Sequence, residues 1–214
     1  MPLIFNKKID FNKTRIVVWE NTESNDFYIN KLNLTENELN MVRSYKEHRQ
    51  KEWFCSRYLI KTIIDTTSCE ISKDNFGKPI LENSNCHISI SHSKNRAAAI
   101  ISNSVVGIDI QKKEDKISRI HKKFISNQEI SQLDENNLDA YYHIFWSAKE
   151  CMYKAWGKKE LDFKRHMHVY PFIYFKKDLE LKGWVKKEDA FQEYDIYTDL
   201  IDDFYLVYAL RVDE

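Results

Sequence analysis

Glycine is scarce in this sequence, which has only four in 214 residues: Gly77, Gly107, Gly157 and Gly183. Neither the G-x-G-x-x-G pattern of dinucleotide-binding folds nor the G-x-x-x-x-G-K-[ST] pattern of phosphate-binding loops can be formed from them. The commonest nucleotide-binding designs are therefore excluded. If this protein binds phosphates, it must do so with side chains and a metal ion.

Net charge, long apolar runs and paired cysteines are also lacking. Lysine plus arginine and aspartate plus glutamate both number 33, which argues against a general nucleic-acid-binding protein. No stretch approaches the roughly 18 to 20 apolar residues of a membrane span, and charges occur too early for a secretory signal. We therefore expect a soluble, cytoplasmic protein with no nucleic-acid or membrane partner.

The cysteines form no C-x-x-C pair, which disfavours a zinc or redox site and favours unpaired thiols: Cys55, Cys69, Cys86 and Cys151.

The first half of the chain is predicted to contain a strand, a helical region and three further strands. Residues 14–19 form an apolar run that is typical of a strand. Thr35 followed by Glu38 is a capping box, which opens a helical region to about Asp65 with a break near positions 47–50. Short apolar runs then predict strands at 87–91, 96–102 and 105–110.

The second half is predicted to contain two helices followed by strands. Ser126 with Glu129 forms a second capping box at the start of a short helix. The strongest helical periodicity runs from Tyr141 to Trp156. Alternating runs at 168–175 and 193–212 predict the last strands. This order of elements is an α+β pattern, with a division near 102–104.

An acidic residue, Asp109, lies within the apolar segment 105–111. A charge in a buried strand is costly unless it is paired with a cation or a metal ion. Asp109 is therefore a candidate metal ligand. The alternative is a side chain at the end of a strand that points to solvent, and the local sequence leaves both interpretations open.

Charged residues share one side of the strongest predicted helix. Trp146, Glu150 and Lys154 recur at intervals of four, and Lys149 lies beside them. A carboxylate between two ammonium groups suits a metal-bound polyphosphate, because the carboxylate binds a hard cation while the lysines neutralise phosphate oxygens. Ordinary Glu–Lys pairs on a solvated helix surface have the same spacing, so that alternative is also open.

A polar cluster of Ser91, His92 and Ser93 ends the strand predicted at 87–91. These side chains can donate hydrogen bonds to phosphate oxygens. A Ser–His pair also serves as nucleophile and base in hydrolases, but no G-x-S-x-G elbow accompanies this one. A solvated turn without function is the remaining alternative.

Five short motifs in a fixed order resemble those of the 4′-phosphopantetheinyl transferase superfamily. GID at 107–109 and W-x-x-K-E-x-x-x-K at 146–154 are similar to its two signatures. SHS at 91–93 and GKP at 77–79 precede them in the family's order, and Phe124 with Glu129 resembles the segment between the signatures. The likeness extends over residues 43–163, more than half of the chain.

The length of the chain is similar to that of the surfactin-synthetase-activating type of this superfamily. The resemblance implies an α+β pseudo-dimer of two similar α/β halves with the active site between them. In this chain, an N-terminal half at 1–103 would contribute to coenzyme A binding. A C-terminal half at 104–214 would carry the metal-binding and catalytic signatures.

The resemblance also implies a reaction and the residues that perform it. The 4′-phosphopantetheine arm of coenzyme A would pass to a serine of an apo acyl, peptidyl or polyketide carrier protein, with release of 3′,5′-ADP. Asp109 and Glu150 would bind Mg²⁺, for which Mn²⁺ is an alternative. Glu150 would also activate the serine hydroxyl, and Lys154 would stabilise the leaving charge.

The other matching residues would bind coenzyme A. Lys149 would contact phosphate or orient the helix, and Trp146 would pack beneath the site. The serine–histidine pair would bind phosphates, the GKP residues would lie near the nucleotide, and two arginines of the first helical region are favoured for the 3′-phosphate. The residues assigned to coenzyme A in this way are Lys78, Pro79, Ser91, His92, Lys149, Arg49 and Arg57.

The sequence departs from the family pattern at Gln111, where many members have an acidic residue. Gln111 is a third candidate metal ligand, but an amide oxygen is a weaker ligand for Mg²⁺ than a carboxylate, so water could take its place. A second departure follows the helix, where the frequent G-x-G-L appears only as GKKEL at 157–161.

Basic residues crowd the segment between the two signatures, where only Glu114 and Asp115 oppose them. Carrier proteins of this pathway present acidic helices, so a basic patch would steer and orient them. A plain solvated face and a nucleic-acid patch are the alternatives. We expect a monomer that binds an apo acyl or peptidyl carrier protein at Lys112, Lys113, Lys116 and Arg119, with Lys122 and Lys123 nearby.

Three other functions compete with transfer of the arm. The chain could be a catalytically silent protein that binds coenzyme A or a carrier, and the amide at Gln111 is the feature that points that way. It could be an unrelated Mg²⁺-dependent phosphotransferase acting on small molecules, or an interaction module with coincidental motifs. The presence of Asp109, Glu150 and Lys154 together favours the transferase.

Overall fold

The computed structural model describes residues 2–9, 13–64, 70–131, 133–176 and 178–212. The described residues form eleven strands and six α-helices. The strands are β1 (Leu3–Ile9), β2 (Thr14–Glu20), β3 (Ile71–Lys73), β4 (Pro79–Leu81), β5 (His87–Ser93), β6 (Arg96–Ser102), β7 (Val106–Lys112), β8 (Met167–Val169), β9 (Leu179–Lys187), β10 (Ala190–Ile201) and β11 (Phe204–Arg211). The helices are α1 (Asn25–Leu32), α2 (Glu36–Arg43), α3 (Glu47–Ile63), α4 (Asp115–Ile120), α5 (Asn127–Ile130) and α6 (Leu138–Trp156). None of these helices is long and apolar enough to cross a membrane.

The first large sheet has the strand order β1-β2-β6-β5, with antiparallel neighbours. Successive side chains of a strand point to opposite faces, and here both faces are buried. Val17 of β2 and Ala99 of β6 pack against α3. Ile16 and Ile100, on the same two strands, face the second large sheet instead.

The second large sheet has the order β7-β11-β10-β9-β8, again antiparallel. Val207 and Ala209 of β11 pack against α6. Leu206 and Tyr208, which alternate with them, meet the residues of the first sheet in a shared core. Each sheet therefore carries a helix on one face, and the two sheets contact each other through their remaining faces.

The α+β class predicted from the sequence is confirmed. Both predicted capping boxes are present, at Thr35 with Glu38 and at Ser126 with Glu129. The break in the first helical region falls at 44–46, slightly before the predicted position, and Asp65 lies outside the described residues. Among the described cysteines, all three are free thiols: Cys55, Cys86 and Cys151.

The predicted strand at 168–175 is wrong over most of its length, since only Met167–Val169 is a strand. Beyond it, the hydroxyl of Tyr141 donates a hydrogen bond to the carbonyl of Phe172 and accepts one from the amide of Tyr174. Because these backbone groups bond to a side chain, the alternating pattern there reflects packing of aromatic rings rather than a sheet.

Candidate active site

Helix α6 and strand β7 approach each other closely at Gly107. A Cβ atom at this position would lie 1.9 Å from the carbonyl oxygen of Cys151 and 3.0 Å from the amide nitrogen of Ala155. No side chain fits there, so the contact between the helix and the strand requires glycine. The next residue of β7 on the same face is Asp109, which therefore lies beside the turns of α6 that carry Glu150 and Lys154.

Asp109 and Lys154 form the centre of the site. The ammonium nitrogen of Lys154 donates hydrogen bonds to Asp109 Oδ1 at 2.8 Å, to the carbonyl oxygen of Ile108 at 2.8 Å and to Ser91 Oγ at 3.0 Å. The hydroxyl of Ser91 donates to the same Asp109 oxygen at 2.8 Å. Burial is the largest single effect on Lys154 and lowers its pKa, but the charges of Asp109, Cys151 and Glu150 and the hydrogen bond to Asp109 together raise the pKa of the ammonium.

Glu150 is a second carboxylate at this site. The pKa of Glu150 is raised to about 7, mainly by burial and also by the charge of Asp109, while Lys154 acts in the opposite direction. Two neighbouring carboxylates that resist simultaneous ionisation attract a cation. The sequence predicted this juxtaposition of Asp109, Glu150 and Lys154, and the structure brings the three side chains together.

The donor set suits a hard divalent cation. Asp109 Oδ2 is buried and has no hydrogen-bond partner among the described residues. Such an atom carries a desolvation cost that a bound cation would remove. No group of three or more His, Cys, Asp and Glu side chains that could hold a metal ion occurs in the described part of the chain. Two carboxylates nevertheless match Mg²⁺, which commonly takes one or two and keeps water and substrate phosphate as its other ligands.

Gln111 lies two residues beyond Asp109 on β7 and faces the same side of the sheet. It is half-buried, and its side-chain nitrogen donates to the carbonyl oxygen of Lys112 at 3.0 Å. This bond fixes the orientation of the side-chain amide. It does not test whether Gln111 binds a metal ion, which stays a prediction.

Alternate serines of β5 link that strand to β7. Ser89 Oγ accepts a hydrogen bond from the amide of Ile108 at 3.1 Å, and Ser93 Oγ accepts one from the amide of Lys112 at 3.1 Å. Ser91, between them, bonds to Asp109 as described above. Ser89 and Ser93 thus satisfy backbone amides of β7 that face β5. Ser91 fixes the carboxylate of Asp109 relative to β5. Sequence reasoning missed Ser89, although its alternation with Ser91 and Ser93 was visible.

Lys149 is fully buried inside the protein. Its ammonium donates to Glu129 Oε2 at 2.8 Å and to the carbonyl oxygens of Phe124 at 2.8 Å, Phe163 at 2.9 Å and Met167 at 3.2 Å. Burial lowers the pKa of Lys149, and the charge of Glu129 counteracts this. A phosphate contact by Lys149 does not fit this position, because all its donors are directed inward. The other predicted role, orienting the helix, does fit.

Glu129 completes this buried network. Its second carboxylate oxygen accepts from the amide of Val169 at 3.0 Å, and the first closes the capping box with the amide of Ser126 at 2.8 Å. The network ties α5, α6 and β8 together. Trp146, predicted to pack beneath the site, packs on Phe124 and Phe163 at ring-centroid distances of 5.1 and 5.8 Å.

A basic cleft of about 460 Å³ lies between α3, the start of β4 and the end of β5. It brings together four residues predicted to bind coenzyme A: Arg49, Arg57, Pro79 and His92. The guanidinium of Arg57 lies 4.8 Å from the ring centroid of Trp53, and Arg49 pairs with Glu52 at 2.8 Å. Sequence reasoning did not single out Trp53, although it shares helical spacing with the two arginines.

A smaller groove of about 200 Å³ lies between the residues of the β3–β4 turn and the end of α6. Its walls include Lys78 and Pro79 on one side and Tyr153 and Lys154 on the other. Pro79 is common to the groove and the basic cleft. The predicted nucleotide residues therefore lie next to the carboxylate pair.

The predicted basic patch is only partly unpaired. Lys112 pairs with Asp203 at 3.4 Å, and Lys113 pairs with Asp139 at 3.1 Å. The remaining cations of the segment are exposed, and no ion pair of theirs occurs within the described ranges: Lys116, Arg119, Lys122 and Lys123.

The part of the chain that carries β7, α6 and both carboxylates matches a known protein family. Residues 105–202 match the family model of the 4′-phosphopantetheinyl transferase superfamily. The resemblance indicated by the motifs is therefore confirmed over this segment, which is a little less than half of the chain.

Individual relatives are of the type that the sequence predicted. The chain is 31% identical over 99 residues to 4′-phosphopantetheinyl transferase Sfp of Bacillus subtilis (strain 168), an alignment that covers 44% of each protein. It is 30% identical over 112 residues to 4′-phosphopantetheinyl transferase gsp of Aneurinibacillus migulanus, covering 50% of this chain and 46% of the relative. The chain thus aligns with less than half of the length of these relatives.

Proposed function

We propose that this protein transfers the 4′-phosphopantetheine arm of coenzyme A to a serine of an apo carrier protein. The observation that carries the proposal is the buried, unpartnered oxygen of Asp109 beside Glu150, with Lys154 bonded to the same carboxylate. The basic cleft with Arg49 and Arg57 lies close by and suits the phosphates of coenzyme A.

The proposed arrangement is a pseudo-dimer, with an N-terminal half at 1–103 and a C-terminal half at 104–214. Each half has an antiparallel sheet with one long helix on it, α3 or α6. The cleft is lined mainly by the first half, while Glu150 and Lys154 belong to the second. Coenzyme A would therefore bind where the halves meet.

Asp109 and Glu150 would hold Mg²⁺ or Mn²⁺, with Gln111 or water beside them. The bound cation would neutralise charge on the pyrophosphate of coenzyme A. Lys154 is fixed by Asp109, Ser91 and the carbonyl of Ile108, and this fixed ammonium would stabilise the charge that develops on the leaving group.

The proposed reaction exchanges one phosphorus–oxygen bond for another. The oxygen of the carrier serine attacks the β-phosphorus of coenzyme A, and the bond from this phosphorus to the bridging oxygen breaks. The products are the arm joined to serine by a phosphodiester and 3′,5′-ADP. Glu150 would accept the proton of the serine hydroxyl, directly or through a water molecule.

The carrier protein would dock on the exposed cations of the segment between the signatures. Lys116 and Arg119 lie on one face of α4, three residues apart, and both are exposed. Acidic helices of a carrier would be attracted to them. We propose that the chain acts as a monomer, since one chain supplies both the cleft and the carboxylates.

Intact-mass measurement of an apo carrier protein tests the reaction. Incubation with coenzyme A and Mg²⁺ should add the mass of one phosphopantetheine arm, and EDTA should prevent the gain. Glu150→Gln should abolish the gain while leaving coenzyme A binding measurable. The matched control Glu36→Gln, at an exposed carboxylate of α2, should behave as the unaltered protein.

The outcomes separate the proposal from its rivals. Coenzyme A binding without a mass gain on several unrelated apo carriers would indicate a catalytically silent binding protein. Consumption of a nucleotide without any protein acceptor would indicate a phosphotransferase that acts on small molecules.

A further inference from the structure

Lys78 reaches across from the first half of the chain to the end of the catalytic helix. Its ammonium donates a hydrogen bond to the carbonyl oxygen of Ala155 at 2.9 Å, between residues 77 apart in sequence. Ala155 directly follows Lys154 in the last turn of α6. The contact therefore joins the β3–β4 turn to the part of the helix that carries a proposed catalytic side chain.

The turn that carries Lys78 is held by its own hydrogen bonds. Asp74 Oδ1 accepts from the amides of Phe76 at 2.9 Å and Lys78 at 2.8 Å. The amide of Asp74 donates to the carbonyl of Lys78 at 3.0 Å, and Gly77 takes the left-handed φ of +89° that the turn needs. The base of the Lys78 side chain thus has a defined position.

The end of α6 is shaped to receive this side chain. Gly157 ends the helix with φ +73°, and a Cβ atom there would lie 3.0 Å from Lys78 Cδ and 3.5 Å from Lys78 Nζ. A cation at a helix C-terminus is favourable, because the last carbonyl groups lack partners within the helix. Burial lowers the pKa of Lys78 to about 8, partly opposed by Asp74 and assisted by Arg211, so the ammonium form still predominates at neutral pH.

Lys78 and Gly157 both line the groove that contains Pro79 and Lys154. We propose that Lys78 is a positioning residue: its ammonium holds the last turn of α6 against the β3–β4 turn and so sets Lys154 relative to the cleft around Pro79. In this role Lys78 does not bind a phosphate of coenzyme A. The inference rests on the proposed transferase function.

Kinetic measurements on Lys78→Met distinguish positioning from binding. Methionine keeps much of the packing of the stem but cannot donate the hydrogen bond. We expect kcat to fall by about tenfold, since small displacements of catalytic groups are costly, while the Kd for coenzyme A stays within about twofold. A tenfold weaker Kd with unchanged kcat would overturn the proposal and assign Lys78 to coenzyme A. Lys186→Met, at an exposed lysine of β9, controls for loss of a charge.

A double-mutant cycle tests whether Lys78 acts through the end of α6. Gly157→Ala should lower kcat less in a Lys78→Ala background than in the unaltered protein, because the added methyl group no longer meets Lys78 Cδ. Strictly additive effects would overturn the proposal. Circular dichroism and urea unfolding of each variant identify any loss of kcat that comes from a failure to fold.

Unfolding measurements on the proteins of this cycle test the role of Lys78 independently of the proposed transferase activity. If the unaltered protein transfers no arm to any carrier, the proposed function fails, and with it the reaction that Lys78 would serve. The four proteins of the cycle (the unaltered protein, the two single variants and the double variant) still report the contact, because coupling between Lys78 and Gly157 should appear in their free energies of unfolding. Additive unfolding free energies would show that the contact itself is wrong.

Discussion

Lys154 Nζ lies 2.8 Å from Asp109 Oδ1, while the other oxygen of this carboxylate is buried and has no partner within the described residues. One oxygen is thus held by a lysine and the other is available to a cation. The pair depends on Gly107, which lets α6 lie against β7. The absence of a side chain at Gly107 therefore allows the charged groups of β7 and α6 to lie next to each other.

The stability of the metal-free protein should depend on the ionisation of Glu150. Its pKa is raised by burial, and then by Asp109, from an ordinary value of 4.5 to about 7. The folded state consequently binds more protons than the unfolded state between these values, so the free energy of unfolding falls as pH rises through this window. The full effect is on the order of 3 kcal/mol at about 1.4 kcal/mol per pKa unit.

Urea unfolding in EDTA at pH 5 and pH 8 measures this effect. Glu150→Gln should remove most of the decrease, so that the variant is more stable than the unaltered protein at pH 8. Glu36→Gln, on the exposed surface, should retain the decrease. An equal pH dependence in all three proteins would show that Glu150 ionises normally in the folded state.

Gly107→Ala should destabilise the fold far more than Gly77→Ala. The added methyl group at position 107 would collide with backbone atoms of α6, which cannot move independently of the helix. At position 77 nothing lies within 4 Å, so the cost there is the strain of a side chain at φ +89°, roughly 1–2 kcal/mol. Thermal unfolding followed by circular dichroism compares the two. Similar melting temperatures would mean that α6 can shift away from β7.

The carboxylate pair was predictable from the sequence because each partner lies in a strong local pattern. Asp109 interrupts an apolar strand, and Glu150 lies on the most periodic helix of the chain. The structure adds the reason why they meet, which is a contact between Gly107 and Cys151 some forty residues apart. No local sequence pattern predicts that contact. The expectation that Asp109 and Glu150 lie together came from the resemblance to the family motifs.

The role of Lys149 could not be read from its position on α6. Helical spacing places it three residues from Trp146 and next to Glu150, which favoured a phosphate contact. Its acceptors are instead Glu129 and carbonyl groups of three separate segments, and only the folded chain brings these together. Strand β1 was missed for a related reason: its sequence contains several polar residues, and its pairing with β2 determines its structure.

Lys149→Met should be strongly destabilising, because it leaves the fully buried carboxylate of Glu129 without its cation. Breaking one side of a buried ion pair typically costs about 3–5 kcal/mol. Glu129→Gln in the same chain should restore part of this loss by removing the charge. Urea unfolding of the single and double variants measures both effects. A loss below about 1 kcal/mol for Lys149→Met would show that the network contributes little to stability.

Charge reversal at Lys116 and Arg119 should weaken carrier docking without affecting coenzyme A. Both side chains are exposed, and within the described ranges neither has an ion pair, so their charge is available to an acidic partner. In the double variant, the KM for an apo carrier should rise by about tenfold or more, while the KM for coenzyme A should stay the same.

The dependence of the carrier KM on ionic strength distinguishes weaker docking from a general loss of activity. The carrier KM of the unaltered protein should rise with ionic strength, and that of the charge-reversal variant should rise less, because fewer attractive charges remain to be screened. Lys186→Glu, a reversal at the exposed lysine of β9, should leave the carrier KM and its salt dependence unchanged. If both reversals raised the carrier KM equally, the carrier would respond to net charge alone, and α4 would not be its docking site.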